Sequence, residues 1–155
     1  PEKRIIKEIN GIPAGEYYKS VVKVPQYNHQ VFANNPIGIV VEDGDPFVRS
    51  ITEIKEDGSM QLYCAVEEGS IMNLLKPVDI VEDTYEVLKK AELELGEITG
   101  GLLFSCLFRK VEIMAQGKRK SMEDLISKYN FAGFTTYGEQ YITHMNQTLT
   151  GLLIK

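Results

Sequence analysis

The sequence has no tryptophan, only two cysteines and only two histidines among its 155 residues. The cysteines, Cys64 and Cys106, can close at most one disulfide, nothing like the dense framework of a small secreted domain. Both lie in apolar, strand-like surroundings, which predicts reduced and shielded thiols. Together with His29 and His144 they show no metal-ligand spacing, so no metal site is expected. No stretch approaches the ~20 apolar residues that span a bilayer, and no signal peptide opens the chain. Positive charge is scarce too. Seventeen Lys and Arg against 22 Asp and Glu leave a net charge of −5, the reverse of the basic field with which nucleic-acid binders displace counterions. The expectation is a soluble, cytoplasmic chain with no nucleic-acid and no membrane contact. The compact basic cluster Lys118-Arg119-Lys120 reads as a solvated loop, with an anion-binding lip at a helix start as the alternative. Dinucleotide, P-loop, nucleophile-elbow and zincin motifs are all missing. No cofactor and no catalytic residue is therefore assigned, and the chain is expected not to be an enzyme.

What is present is an ordinary globular composition, 43% hydrophobic and 25% charged, at a length that suits one domain, 1–155. The chain opens at Pro1 without a methionine, which suggests a piece excised from a larger protein. Arg4 to Ile9 reads as a strand closed by the turn pair Asn10-Gly11. A helix follows Pro13, with Tyr17, Tyr18, Val21 and Val22 at helical spacing. Val24 to Pro36 reads as one long irregular loop of the kind that often carries function. Strands are expected over Ile37 to Val41, Phe47 to Ile54, Met60 to Val66 and Ser70 to Leu75. Glu42 to Pro46 is a turn, and Asp57-Gly58 is a hairpin signal. Asp83 is the expected cap of a helix that Gly96 stops. Leu102 to Phe108 is nearly all apolar, as in a central strand covered on both faces. Ser121 is the expected cap of a further helix to Tyr129. Strands at Phe131 to Thr136, Gln140 to Met145 and Thr148 to Ile154 complete the chain. The fold class is α+β: a largely antiparallel sheet flanked by about three helices, in a single domain.

The candidate site residues are polar groups placed where burial demands a partner. Arg49 shares a strand face with Phe47 and Ile51, so its guanidinium needs a protein acid or a bound anion. Glu53, on that same face, is the protein-side choice. Arg109 ends the apolar strand, where simple exposure is the plain alternative. Cys106 is either a small core residue or, given a nearby base, a nucleophile; its apolar neighbours favour the core. Between glycines, Tyr137 and Glu139 offer an aromatic ring and an acceptor, although a strand, a turn and a solvent-facing acid would look the same. Asn146 and Thr148 offer an amide and a hydroxyl in a segment that a turn alone would also explain. As a set these groups suit a small polar ligand.

Several blocks resemble the FIST C domain, the C-terminal half of a sensory module named for F-box and intracellular signal transduction proteins. They are GGLLFSCLFRK (Gly100 to Lys110), AGFTTYGEQ (Ala132 to Gln140) and HMNQTLTGLL (His144 to Leu153). NPIGIV and PFVRSI resemble the family's opening strands, and the blocks run in the family's order along most of the chain. One departure is Lys110-Val111-Glu112, where family members often carry a glycine-rich loop. The resemblance implies a small-molecule sensor, with amino acids among the suggested ligands. It also implies two partners in the parent protein: a preceding N-terminal FIST domain and a downstream signalling domain. The alternative is a protein-interaction module that contacts the N-terminal FIST domain or an output domain. On the sensor reading, Arg49 and Arg109 would hold an anionic group and Glu139 a cationic or hydroxyl group. Tyr137, Asn146 and Thr148 would line the site, and Cys106 would pack beneath it.

Overall fold

A computed structural model describes residues 4–40, 44–140 and 143–155. It is an α+β structure with about equal helix and strand. The chain divides into two compact units, Pro1–Lys76 and Pro77–Lys155.

In the first unit, β1 (Ile5–Ile6) leads into β2 (Glu8–Ile9) and β3 (Ile12–Pro13). The β2–β3 hairpin turns on Asn10 and Gly11, both at positive φ (53° and 76°). That is the backbone of the two-residue turn that Asn-Gly selects. Helix α1 (Ala14–Val21) starts directly after Pro13 and buries Ala14, Gly15 and Tyr18. The stretch read as a loop contains a short helix, α2 (His29–Asn34). Asn28 caps it by accepting from the Val31 N–H at 3.0 Å. The cap residue was legible as a turn former, but a helix of six residues is too short to show periodicity.

Two three-stranded antiparallel sheets follow. Strand β4 (Ile37–Ile39) lies between β5 (Phe47–Arg49) and β8 (Met72–Leu74), while β7 (Met60–Leu62) lies between β1 and β6 (Ile51–Ile54). The expected strand Phe47 to Ile54 is thus two strands, broken at Ser50 and belonging to different sheets. A register shift follows between Ile51 and Glu53. Part of the expected turn at Glu42 to Pro46, and the end of the strand expected at Val41, fall outside the described residues. The core of this unit gathers Tyr18, Phe32, Ile37, Ile51, Met60 and Leu62, with Tyr18 and Phe32 ring centroids 5.9 Å apart.

The second unit opens with α3 (Ile80–Leu95), whose cap is Asp79 rather than Asp83. The Asp79 carboxylate accepts from the N–H groups of Val81 (3.0 Å) and Glu82 (3.2 Å). Gly96 ends this helix at φ 89°. Strand β9 (Gly100–Cys106) is central, with β10 (Phe131–Thr136) parallel on one side and β13 (Leu149–Ile154) antiparallel on the other. A parallel pair needs a crossover, and here it carries α4 (Leu107–Ala115) and α5 (Arg119–Ile126). Leu107 and Phe108 therefore start a helix instead of extending the strand. The apolar run continued across the junction, and composition alone does not mark the change. Lys118, not Ser121, precedes α5. The basic cluster there is matched by acids: Lys118 to Asp79 (2.5 Å), Arg119 to Glu123 (2.7 Å) and Lys120 to Asp124 (2.7 Å). The segment expected as a strand at Gln140 to Met145 is a small antiparallel pair, β11 (Glu139–Gln140) with β12 (His144–Met145); Tyr141 and Ile142 fall outside the described residues.

Register places Gly133, Leu103 and Gly151 side by side on one sheet face. A Cβ on Gly133 would lie 2.1 Å from the Leu103 carbonyl oxygen, and one on Gly151 would lie 2.5 Å from that of Leu102. The three strands close up only because both positions lack a side chain. The opposite face carries Leu102, Phe104, Phe134, Leu152 and Ile154. There Leu102 is exposed, so the central strand is not covered on both sides. Among the described residues no helix is long and apolar enough to cross a membrane.

Candidate functional site

The candidate site lies where β9 meets α4. Cys106 ends the strand at φ −56°, ψ 141°, and the next residue is helical. Arg109 consequently occupies the first turn of α4 and is buried at 8% exposure, not the exposed strand end that its position suggested. Its guanidinium donates to Thr84 Oγ1 of α3 at 2.7 Å. Thr84 in turn donates to the Ile80 carbonyl at 2.6 Å, so one hydroxyl serves as acceptor and donor. Burial pulls the Arg109 pKa down from its ordinary value. The nearby acidic groups, Asp83 first and then Glu112 and Glu139, act against that.

Glu139 is buried at the start of β11. Its carboxylate accepts from Thr136 Oγ1, and from Thr148 Oγ1 at 2.6 Å. The first contact spans a tight turn through Gly138, over which the His144 ring is packed. The second ties the turn to the strand that pairs with β9, where the Cys106 N–H donates to the Thr148 carbonyl at 3.0 Å. Cys106 is 1% exposed and hydrogen-bonded to Glu139. Burial raises its pKa, the backbone N–H groups of Phe108 and Gln147 oppose the rise, and the Glu139 charge adds to it. Gln147 adopts φ 56°, a left-handed conformation uncommon away from glycine and frequent near functional sites. Asn146 beside it is fully buried. Glu112, also buried, accepts from Gln116 Nε2 at 3.0 Å, and desolvation raises its pKa.

Of the residues singled out in the sequence, Cys106, Arg109, Glu139 and Thr148 interact with one another in the second unit, and Asn146 is buried in the adjoining turn. Tyr137 is 83% exposed. Arg49 belongs to the first unit. There it is buried and donates through Nε to the Ala65 carbonyl (3.0 Å) and through Nη1 to that of Val48 (3.3 Å). Glu53, the acid expected on its face, is exposed and paired in another sheet, because the strand breaks at Ser50. Sequence reasoning missed Thr84, Thr136 and Glu112. Only Thr136 left a local signal, a hydroxyl three residues before a carboxylate. Cys64 and Cys106 are both buried, and neither is in a disulfide.

The first unit carries two openings. A cavity of about 280 Å³ borders α2 and is lined by Lys19, Tyr27, His29 and Glu53. A groove of about 910 Å³ runs past β1, α1 and β8. Among the described residues no cluster of three His, Cys, Asp or Glu side chains is placed to hold a metal ion.

Comparison with known families gives one finding. The family described as the FIST C domain matches residues 14–142, and the chain belongs to that family. The family is associated with sensory signal transduction. Neither the curated proteins nor the solved structures compared with the chain gave a match.

Proposed function

We propose that this FIST C chain is the ligand-binding part of an intracellular sensor, that it has no enzymatic activity, and that it takes a small zwitterionic molecule of the amino-acid class at Arg109 and Glu139. The observation that carries the reading is the state of Arg109. A guanidinium has five donors, and among the described residues its hydrogen-bond acceptor is the single neutral hydroxyl of Thr84. A ligand carboxylate would take further donors in a bidentate pair and offset the cost of burial. Glu139, buried within the same unit, supplies the opposite charge for an ammonium group. Thr136 and Thr148 hold that carboxylate in place.

The test is a thermal-shift screen of amino acids and small carboxylates on the full chain. A ligand that binds only the native state stabilises it by about 2.7 kcal/mol at a hundredfold excess over Kd. Arg109→Lys keeps the charge but loses the fork, and Glu139→Gln keeps the shape but loses the charge. Both should remove the shift. A shift that survives both substitutions, or no shift with any compound, overturns the reading. A second reading, a module that docks a partner domain, is supported by the exposed apolar side chains Phe134, Leu152 and Ile154. On that reading the chain is stabilised by the partner and by no small molecule.

A further inference from the structure

Among the described residues, two strands in the first unit have a neighbour on one side only. β8 ends the order β5-β4-β8, and β1 ends the order β1-β7-β6. Both line the same groove of about 910 Å³, together with α1. The hydrogen bonds of β8 fix which way its backbone faces. Ile71 accepts from the Val40 N–H (3.1 Å), and the Leu75 N–H donates to Pro36 (2.8 Å). In an antiparallel ladder successive residues alternate between facing their partner and facing away. Met72 and Leu74 therefore turn their N–H and carbonyl groups away from β4. By the same alternation, the Leu62 N–H donating to the Arg4 carbonyl (2.8 Å) turns Ile5 outward from β7. Native proteins usually guard such edges with lysine, proline or a bulge. From Ile71 to Leu75 there is no charge and no proline, and Ile71 and Leu74 are exposed. The charged residues that line the groove are Lys7, Glu8, Glu67 and Glu68, an acidic excess beside an apolar wall of isoleucine, tyrosine and methionine.

We infer that this groove accepts an extended peptide segment in which apolar and basic residues alternate. The segment pairs with the free edge of β8, seats its apolar side chains against Ile6, Tyr17 and Met72, and turns its basic ones toward Glu67 and Glu68. Backbone pairing supplies affinity, and the alternating pockets supply the pattern requirement. The inference is independent of the Arg109–Glu139 site, which lies in the other unit.

The probe is a fluorescein-labelled hexapeptide of alternating valine and lysine, titrated against the full chain by anisotropy. It should bind, and more weakly as salt rises. A hexapeptide of alternating valine and glutamate should not bind. A version N-methylated on every second amide, so that one edge cannot pair, should lose about tenfold or more, since each lost backbone bond removes up to ~1.5 kcal/mol. Leu74→Pro removes an outward donor at an edge position that tolerates proline. It should leave the circular dichroism unchanged and weaken binding to a similar extent. Absence of binding, equal binding of the glutamate peptide, or indifference to N-methylation overturns the proposal. N-methylation decides the matter even if Leu74→Pro fails to fold.

Discussion

Both units bury apolar and polar side chains, but in different proportion. In the first, buried Tyr18, Phe32, Ile51, Met60 and Leu62 form one apolar cluster. In the second, the buried groups include Arg109, Glu112, Glu139 and Asn146, while Phe134, Leu152 and Ile154 are exposed. An apolar cluster is forgiving: it tolerates changes of shape at about 1 kcal/mol each if volume is kept. A buried charge cluster is not. Each member is there because the others offset its desolvation, so removing one exposes the cost of the rest. The first unit is built like a scaffold, and the second like a site.

Substitution tests that contrast directly. Ile51→Ala, at a position with no exposed surface, should cost about 2–5 kcal/mol through lost burial and a cavity. Arg109→Ala should cost about 1–3 kcal/mol, through the lost charged hydrogen bond to Thr84 and the void left by a buried side chain. Urea unfolding of each variant measures the difference. The contrast breaks if Arg109→Ala proves neutral. Alkaline pH separates the units by a different route. Tyr18 in the first unit and Cys106 in the second both have pKa values raised by burial. Each raised group holds its proton in the folded chain after the unfolded chain has lost it, so stability falls with rising pH. The loss begins near the ordinary thiol value of 9.0 for Cys106 and near the phenol value of 10.0 for Tyr18. Tyr18→Phe should flatten only the second phase of a stability–pH curve. The smallest effect is expected for Leu152→Thr on the exposed sheet face, within about 0.5 kcal/mol by urea unfolding. A larger loss would mean that this face is covered in solution.

Local chemistry made part of this architecture legible in advance. Asn10-Gly11 and Asp57-Gly58 name their own turns, and both hairpins form. The apolar alternation of Met60 and Leu62 marks a strand that buries both, although it ends at Leu62 and not at Val66, and buried Cys64 lies beyond it. What escaped depended on contacts distant in sequence. Arg109 read as a strand end because Leu107 and Phe108 continue the apolar run. Its burial follows only from the helix that begins at Leu107 and from Thr84, 25 positions earlier. For the same reason, the stability cost now expected for Arg109→Ala is larger than a strand-end residue would suggest. The Arg49–Glu53 pairing failed because period-two alternation assumes one strand, and the chain breaks at Ser50 into two sheets. At the site, Cys106, Glu139 and Thr148 could be nominated by residue type, but not the convergence of Thr136 and Thr148 on one carboxylate.

The bond between Arg109 and Thr84 has a mechanical side. Thr84 sits within the first turns of a 16-residue helix, a rod of about 24 Å at 1.5 Å per residue. The bond pins this rod near one end to the helix that follows the central strand. A tilt about that pin would move the far end, where Leu93 is 87% exposed, more than any residue of the first turn.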